Sequence, residues 1–176
     1  MDNHLVLAAL GGDKTGIVDE ISRTATEAKC SIADSRMVVM GQEFSIIMML
    51  SGTWDAIAKF ESQVHQLEER LHLSIITKRT QARTPQRESL PYRIDVVALD
   101  NPGIVHEIAN FFASQQMNIE SLETSTYAAP HTGSPMFALN MVVNIPAKAH
   151  LGSLRENFIL FCDDLNLDAI LEPYKN

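Results

Sequence analysis

The alternation of apolar and polar residues along this chain occurs in two copies. Short apolar runs that end in turn residues, "HLVLAAL" and "YRIDVVAL", predict one β-strand in each half. A turn follows each strand, "GGDKTG" or "LDNPG", and apolar residues then recur at helical spacing. These residues are Ile17, Val18, Ile21, Ala25 and Ala28 in the first copy and Ile104, Val105, Ile108, Phe111 and Phe112 in the second. We expect them to form the buried face of one helix in each copy.

The two copies align over nearly the whole chain. When Asp13 is aligned with Asp100, the residues that follow the two aspartates match as well. Near the end of each copy, "LHLSIITK" in the first matches "LNLDAILE" in the second. The matched pairs include Gly16 with Gly103, Ile17 with Ile104, Glu20 with Glu107, Ile21 with Ile108 and Ile32 with Ile119. The second copy carries an insertion, "AAPHTGSP" (Ala128–Pro135), which is explained more simply as a longer hairpin connection than as a partner contact. The chain is therefore a duplication.

Each copy has the element order βαββαβ. After the first helix come a hairpin, a second helix and a last strand, and the second helices are expected at Trp54 to about Leu71 and at Lys148 to about Leu165. This order is the ferredoxin-like, or split βαβ, arrangement. We therefore predict an α+β protein of two ferredoxin-like modules, each an antiparallel sheet with its helices on one face.

The segment between the copies, "KRTQARTPQRESLP", is polar and contains two prolines, which is typical of a linker. We place the first module at residues 1–79, the linker at 80–91 and the second module at 92–176. Four cations make this the most basic segment of the chain: Lys78, Arg79, Arg83 and Arg87. One interpretation is a contact strip for an acidic partner or DNA. A solvated connector is favoured because no aromatic residues are interleaved for stacking.

Composition and charge narrow the class of protein. The 176 residues are 45% hydrophobic, which permits packed cores, and the formal net charge is −8. An acidic chain is a poor binder of the phosphate backbone, so we expect no direct nucleic-acid contact. Neither a positively charged leader nor a run of about 20 apolar residues is visible, so we expect no membrane contact and a cytoplasmic location. Cys30 and Cys162 lie in apolar helical contexts and are expected to be buried thiols.

The sequence offers no catalytic or metal-binding motif. None of the patterns GxSxG, HExxH, GxGxxG and the P-loop occurs. His65 and His72 flank Glu68 and Glu69 on a predicted helix, but their spacing is wider than that of helical metal pairs, so we expect a solvated face. The methionines of the hairpins are interpreted as core residues rather than as an adaptable binding surface. We therefore predict no enzyme, no catalytic residue, no metal and no cofactor.

The turn before the first helix of each copy is the best candidate for a binding site. The first amides of a helix have no intrahelical partners and carry the positive end of the helix dipole, so they can bind a carboxylate. Asp13 and Asp100 can then accept hydrogen bonds from an ammonium group, and Gly16 and Gly103 let the backbone approach closely. Asp, Pro and Gly are equally typical of a turn that only connects two elements. The residues alone leave both interpretations open.

The stretch "LDNPGIVHEIANFFASQQMNIESLETSTY" closely resembles the first half of an ACT domain, a family with a βαββαβ fold. The loop signature of that family, Asp-x-Pro-Gly-Ile/Val, and its Asn-Ile at the start of the second strand correspond here to Asp100, Pro102, Gly103, Ile104, Asn118 and Ile119. The first copy matches with Asp13, Gly16 and Ile17, but has Thr15 in place of Pro and Ser31 in place of Asn. The resemblance covers both halves of the chain.

The resemblance implies a function and a set of site residues. ACT modules commonly bind amino acids at this loop, next to the second strand of a neighbouring module, and regulate another protein. The implied ligand is a small amino acid such as glycine or serine. One implied site consists of Asp100, Asn101, Gly103, Ile104 and Asn118, and its counterpart consists of Asp13, Gly16, Ile17 and Ser31.

The closest resemblance is to stand-alone tandem members of the ACT family that repress transcription. It implies an amino-acid-sensing regulator that binds a separate DNA-binding transcription factor rather than DNA, and it is compatible with a homo-oligomer. Three alternatives stay open: a regulatory subunit of an amino-acid or folate-linked enzyme, direct DNA binding through the basic linker, and a dimerisation module without a ligand. Co-purification with an enzyme would favour the first, and a salt-sensitive gel shift the second.

Overall fold

The element order βαββαβ occurs twice in residues 3–82 and 89–174, the residues that the computed structural model of the protein describes. The chain divides into a first unit, Met1–Thr84, and a second unit, Pro85–Asn176. The first unit contains β1 (Asn3–Gly12), α1 (Ile17–Glu27), β2 (Ser31–Met40), β3 (Glu43–Gly52), α2 (Trp54–Leu71) and β4 (Ser74–Thr80). The second unit contains β5 (Ser89–Leu99), α3 (Ile104–Ser114), β6 (Asn118–Ala128), β7 (Pro135–Pro146), α4 (Leu151–Asp164) and β8 (Asp168–Pro173). The predicted α+β class with two ferredoxin-like modules is confirmed.

The first sheet has the strand order β2-β3-β1-β4, and all three neighbouring pairs are antiparallel. Side chains along β1 and β3 alternate between a face that packs against α1 and α2 and an open face, as the two-residue period of a strand requires. Leu5 and Leu7 of β1 are fully buried on the helix side. Ile21 of α1, with Ile57 and Phe60 of α2, completes the same core.

The second sheet repeats this arrangement with the strand order β6-β7-β5-β8. Its core is aromatic, and the ring centroids of Phe112 and Phe158 lie 5.2 Å apart. The two units differ at two equivalent helix positions of the core. In the first unit, Phe60 on α2 shares the core with the small Ala25 on α1. In the second unit, Leu154 on α4 and the large Phe112 on α3 occupy the equivalent positions.

The strands on either side of the predicted linker, 80–91, extend into it. β4 ends at Thr80, and β5 begins at Ser89, which pairs with Pro146 of β7. Residues 83–88, with the predicted cations Arg83 and Arg87, lie outside the described residues.

Arg79 of β4 is held within the first unit. Its guanidinium donates to the carboxylate of Glu61 on α2 at 2.6 and 3.0 Å, and its central carbon lies 5.3 Å from the ring centroid of Trp54. Because one cation of the predicted basic strip is paired in this way, its charge is partly neutralised locally.

Two residues of the predicted helix faces are exposed. Val18 and Val105 are 42% and 38% exposed, whereas the isoleucines before them, Ile17 and Ile104, are buried. α1 and α3 begin at those isoleucines, and neighbouring positions on a helix point about 100° apart, so only one of each pair faces the sheet. The prediction that both valines are buried is therefore wrong.

The second helix of the second unit begins later than expected. α4 starts at Leu151 rather than Lys148 because β7 runs on to Pro146 and a turn follows it. In that turn the amide of Ala149 donates to the carbonyl of Pro146 at 2.9 Å.

The insertion Ala128–Pro135 closes the hairpin between β6 and β7. The amide of Ala129 donates to the carbonyl of Ser134, and the amide of Gly133 donates to that of Ala129, both at 2.9 Å. The prediction of a longer hairpin connection is confirmed.

β2 and β6 each form one outer edge of their sheet, and nearly all their residues are exposed. Met37 and Met40 of β2 are 54% and 71% exposed, so the expectation that the hairpin methionines fill the core is wrong for these two. The expectation is confirmed for Met48 and Met141, which lie on inner strands and are buried. An outer strand lacks a neighbour on one side, so fewer atoms cover its side chains.

Candidate functional site

Each unit places a glycine at the start of its first helix. Gly16 precedes α1 with φ 95° and ψ −4°, and Gly103 precedes α3 with φ 103° and ψ −17°. These angles lie in the left-handed region, where L side chains are strained. A Cβ built on either glycine would meet no atom within 4 Å. The backbone conformation, rather than crowding by the rest of the protein, therefore explains why glycine occupies both positions.

The first amides of α1 and α3 are available to a ligand. The carbonyls of Gly16 and Gly103 accept the first intrahelical hydrogen bonds, from Glu20 and Glu107, each at 3.0 Å. Within the part of the chain that the structure describes, no side chain caps either helix start. The loops before the helices are exposed on the surface. Both helix starts thus present amide donors and the positive end of the helix dipole to solvent.

The two helix starts differ in charge. The first turn of α1 contains Asp19 and Glu20, whereas that of α3 contains only one acidic residue, Glu107. Carboxylates in the first turn compete electrostatically with an incoming carboxylate for the positive end of the dipole. In the first unit, Glu20 is itself engaged by Arg23 at 2.7 Å, and this contact lowers the pKa of the Glu20 carboxyl. The first turn of α1 thus carries one more carboxylate than that of α3, and Arg70 at 3.2 Å is a second partner of Glu20.

The aspartates of the loops are held by their backbones against the hairpin of their own unit. The amide of Asp13 donates to the carbonyl of Gln42 at 2.9 Å, and the amide of Asp100 donates to that of Pro135 at 3.0 Å. Both aspartates are exposed, so their carboxylates face solvent beside the helix starts. Gln42 and Pro135 were not among the predicted site residues. Their positions follow from the antiparallel order, because the hairpin turn lies at the sheet edge where β1 or β5 ends.

The sheet register separates the predicted site residues into two places. In the first unit, Gly12 before the loop is level with Glu43 of β3, whereas Ser31 is level with Ser51. These levels are about 26 Å apart at roughly 3.3 Å per residue. In the second unit, Leu99 is level with Met136 and Asn118 with Asn144, which gives the same separation.

In each unit, the predicted site residues of the loop therefore lie together, whereas the predicted site residue at the start of the second strand lies away from them. Asp13, Gly16 and Ile17 are neighbours in the first unit, and Asp100, Asn101, Gly103 and Ile104 are neighbours in the second. Ser31 and Asn118 lie at the opposite end of the same sheet. Ile17 and Ile104 are buried, so only their backbone amides can reach a ligand, whereas the exposed Val18 and Val105 follow directly. The apolar spacing of the sequence assigned the two valines to the buried helix face, so it did not identify them as exposed side chains beside the loop.

A polar pair unique to the second unit lies beside Asn118. The register of β6 shifts between Ile119 and Ser121, which makes Glu120 a bulge residue. The side-chain amide of the buried Asn144 donates to Glu120 at 2.9 Å. The equivalent register shift in β2 falls at Ala33, a residue that cannot make this bond.

The structure also locates the other polar candidates. His65 lies 3.5 and 3.8 Å from the carboxylates of Glu69 and Glu68 on the exposed side of α2. Among the described residues, no group of three or more His, Cys, Asp and Glu side chains is arranged to hold a metal ion. No helix in this part of the chain is long and apolar enough to cross a membrane.

Both cysteines are free and buried, as predicted. Burial raises the pKa of the Cys30 thiol, and burial together with Asp163 raises that of Cys162 to about 12. The thiolate is the reactive form of cysteine, so neither side chain is set up as a nucleophile at neutral pH.

The fold and the glycines that precede α1 and α3 define a tandem of two ferredoxin-like βαββαβ modules, and comparison with known families identifies the type of module. The family model of the ACT domain matches residues 3–78. Two curated relatives, from Escherichia coli (strain K12) and Shigella flexneri, are each 34% identical over 166 residues, which cover 93% of this chain and 86% of the relative. Both are named glycine cleavage system transcriptional repressor. This chain therefore belongs to the glycine cleavage system transcriptional repressor family of ACT-domain proteins.

Solved structures agree with this membership. A crystal structure provisionally named as that of a glycine cleavage system transcriptional repressor is 29% identical, with a TM-score of 0.73, and the match covers 100% of this chain and 99% of that one. An unknown protein from Galdieria sulphuraria gives a TM-score of 0.80 over 99% of this chain and 100% of that one. At 23% identity, this second match shows the fold alone. Together the comparisons support a regulatory ACT protein.

Proposed function

We propose that this protein is a non-enzymatic, cytoplasmic sensor of a small amino acid that regulates transcription of glycine cleavage genes. The proposal rests on the uncapped starts of α1 and α3. In both units, an aspartate and then a glycine in the left-handed conformation precede the helix. In the proposed complex, the first helix amides bind the carboxylate of the amino acid. The carboxylate of Asp13 or Asp100 accepts hydrogen bonds from its ammonium group.

The second unit is proposed as the stronger site. Its first helix turn carries one acidic residue against two in the first unit, so less negative charge opposes the ligand carboxylate. Pro102 restricts the loop before Gly103, which lowers the entropy lost on ordering it around a ligand. Asn118 and Ser31 are proposed to contribute to the loop site of a neighbouring module in an assembly, because each lies far from the loop of its own unit.

Glycine is the proposed ligand, with serine as its closest competitor. The named relatives regulate the glycine cleavage system. An amino acid with no side chain, or a very short one, also matches a surface loop that offers charge and amides but a limited apolar lining, contributed by Val18 or Val105. Larger apolar amino acids would leave their side chains in water and gain little.

The direct test is calorimetric titration of glycine, serine, alanine and leucine into the full chain. We expect glycine to bind, Asp100→Asn to weaken binding by roughly tenfold or more, and Asp13→Asn to weaken it less, because loss of a charged hydrogen bond costs about 1.5–3 kcal/mol. Asp164→Asn, an exposed change in the last turn of α4, is the matched control and should leave binding intact. The ligand proposal fails if no amino acid binds at millimolar concentration. If Asp164→Asn weakens binding as much as Asp100→Asn, the site assignment fails instead.

We propose further that the protein acts by binding a DNA-binding activator rather than DNA. The net charge of −8 disfavours contact with phosphates. The isolated chain should give no gel shift on a glycine cleavage promoter at low salt, and should alter the shift given by the activator in a glycine-dependent manner. A salt-sensitive shift by the chain alone would contradict this. Co-purification with an enzyme instead would favour an enzyme-regulatory subunit.

A further inference from the structure

The open face of the first sheet, opposite its helices, carries a continuous apolar band. In the strand register, Ile47 of β3 pairs with Ala8 of β1, and Ala8 pairs with Ile76 of β4, so the three residues lie at one level of the sheet. Leu10, Val6 and Met49 lie on the same face, one level above or below. Leu10, Ile47 and Ile76 are 55%, 51% and 73% exposed. Contiguous exposed apolar surface of this kind marks an interaction site more often than chance.

The second sheet does not repeat this band, so the fold itself does not require it. At the level equivalent to Ile47, Ala8 and Ile76, the second sheet has Asn140, Asp95 and Ile170. Asp95 forms an ion pair with Arg93 at 2.8 Å on the same face. Two copies of one module have therefore diverged at the centre of the open face, which is apolar across β3, β1 and β4 of the first sheet, with the Asp34–Arg36 ion pair on β2, and carries an ion pair on the central β5 in the second sheet.

We propose that the open face of the first sheet is a dimer interface that packs against the same face of a second copy of this chain. The proposed two-fold axis runs parallel to the strands and passes between β1 and β3. It places β1 of one copy against β3 of the other, and β2 of one copy against β4 of the other. Residues at equal levels then face each other. Ile47 faces the small Ala8 of the second copy, and Met49 faces Val6, so large side chains meet small ones across the interface.

The charges at the edges of the band fit the same axis. Asp34 of β2 is level with Met49, Met49 with Val6, and Val6 with Lys78 of β4. Asp34 and Lys78 thus lie at one level on opposite edges of the sheet. Asp34 forms an ion pair with Arg36 of its own strand, and the two-fold axis brings Lys78 of the other copy to the same carboxylate, so Asp34 of each copy lies between two cations. Stacked sheets cross at about 30°, and the long lysine side chain can follow that offset.

The size of the face suits a reversible dimer. Four strands at about 4.8 Å spacing and eight residues at about 3.3 Å give a face of roughly 500 Å² per copy. The total of about 1,000 Å² lies at the lower limit of specific interfaces. We therefore expect a dimer that dissociates on dilution.

Sedimentation velocity of the full chain over a range of concentrations tests the proposal. The wild type should pass from monomer to dimer, and Ile76→Lys should raise the dimer dissociation constant by roughly tenfold or more, because it buries a charge opposite Arg36 of the second copy. Ile170→Lys is the matched control at the equivalent level of the second sheet and should leave the dissociation constant unchanged. Thermal melts should show both variants folded, since both side chains are exposed.

A charge exchange tests the axis itself. Asp34→Lys and Lys78→Asp should each weaken the dimer, and the double variant should restore it towards the wild-type dissociation constant. A chain that stays monomeric at all concentrations overturns the proposal. A dimer whose dissociation constant is unchanged by Ile76→Lys and by Ile47→Lys also overturns it, because such a dimer would form through a strand edge instead. Equal weakening by Ile170→Lys, or a double variant no better than the singles, also overturns it.

Discussion

The two units share one fold but fill it differently. At two equivalent helix positions, the first unit has Ala25 on α1 and Phe60 on α2, and the second has Phe112 on α3 and Leu154 on α4; α4 also buries a second aromatic side chain, Phe158. The helix ends identify these positions as equivalent. The amide of Cys30 donates to the carbonyl of Ala25 as that of Met117 does to Phe112, and the amide of Leu73 donates to the carbonyl of Glu68 as that of Leu167 does to Cys162. The aromatic residue of this pair of positions therefore lies on the second helix in the first unit and on the first helix in the second unit, and the core accepts either arrangement.

The surfaces of the units differ more than their cores. The centre of the open face is apolar in the first unit, where the Asp34–Arg36 ion pair lies at the β2 edge, and charged in the second unit. The first helix turn is more acidic in the first unit than in the second. In our proposals the first unit therefore contributes chiefly to self-association and the second to ligand binding. A duplicated module can divide two functions in this way without any change in element order.

The largest expected effect comes from the exchanged core position. Phe112→Ala, which installs the residue of the first unit, should destabilise the protein by about 3–5 kcal/mol, because it leaves a cavity. Adding Leu154→Phe, again the first unit's residue, should recover part of that loss by refilling the same core. Urea unfolding followed by circular dichroism measures both. If the double variant is no more stable than Phe112→Ala alone, the side chains at positions 112 and 154 do not compensate for each other in the core.

The next effect concerns the polar pair found only in the second unit of the described chain. Asn144→Ser should cost about 1–3 kcal/mol, because it removes the amide that donates to Glu120 from a buried position. Glu120→Ala with Asn144→Ser, the combination that matches Ala33 and Ser51 of the first unit, should cost less than the sum of the single changes. Strict additivity in urea unfolding would show that the two side chains are not coupled.

A smaller effect is expected at the helix starts. Gly103→Ala should cost about 1–2 kcal/mol, because its φ of 103° strains any L side chain. Gly16→Ala should cost a similar amount. Gly152→Ala, in α4 with open space around it, is the control and should be neutral or stabilising by up to about 1 kcal/mol. If the three variants have equal urea midpoints, the left-handed conformation is not what selects glycine.

The smallest effect is a pH dependence specific to the first unit. The hydrogen bond from Arg79 holds the pKa of the Glu61 carboxyl below its ordinary value of 4.5. The ion pair therefore adds stability above about pH 4.5, and that stability is lost as the pH falls through the lowered pKa. Glu61→Gln should remove a modest, salt-sensitive increment at pH 7 and none at low pH. Glu156→Gln, an exposed substitution on α4, is the control variant. A constant difference for Glu61→Gln would contradict the pairing.

Much of the fold could be predicted from the sequence because its signals are local. Apolar spacing and turn residues place the βαββαβ order, and the glycines at positions 16 and 103 mark where each first helix begins. The start of α4 could not be placed, because whether Lys148 joins the helix depends on how far β7 remains paired. Likewise the exposure of Met37 and Met40 follows from β2 being an outer strand, which no local pattern encodes.

The candidate site was predictable in its chemistry but not in its geometry. The Asp and Gly of each loop are close in sequence, so their proximity to the helix amides follows directly. The distance from Asp100 to Asn118 depends instead on strand order and register, and these place the two residues at opposite ends of the second sheet. Glu120 and Asn144 were missed for the same reason, since their hydrogen bond joins residues that pair across two strands.

The position of Trp54 has a spectroscopic consequence. It is the sole tryptophan of the chain, and it lies in the first unit against the guanidinium of Arg79. Indole emission therefore reports on one half of a duplicated molecule whose halves are otherwise hard to tell apart optically. Circular dichroism averages over both sheets, whereas fluorescence selects one. The chain thus carries an intrinsic label for watching its first half alone.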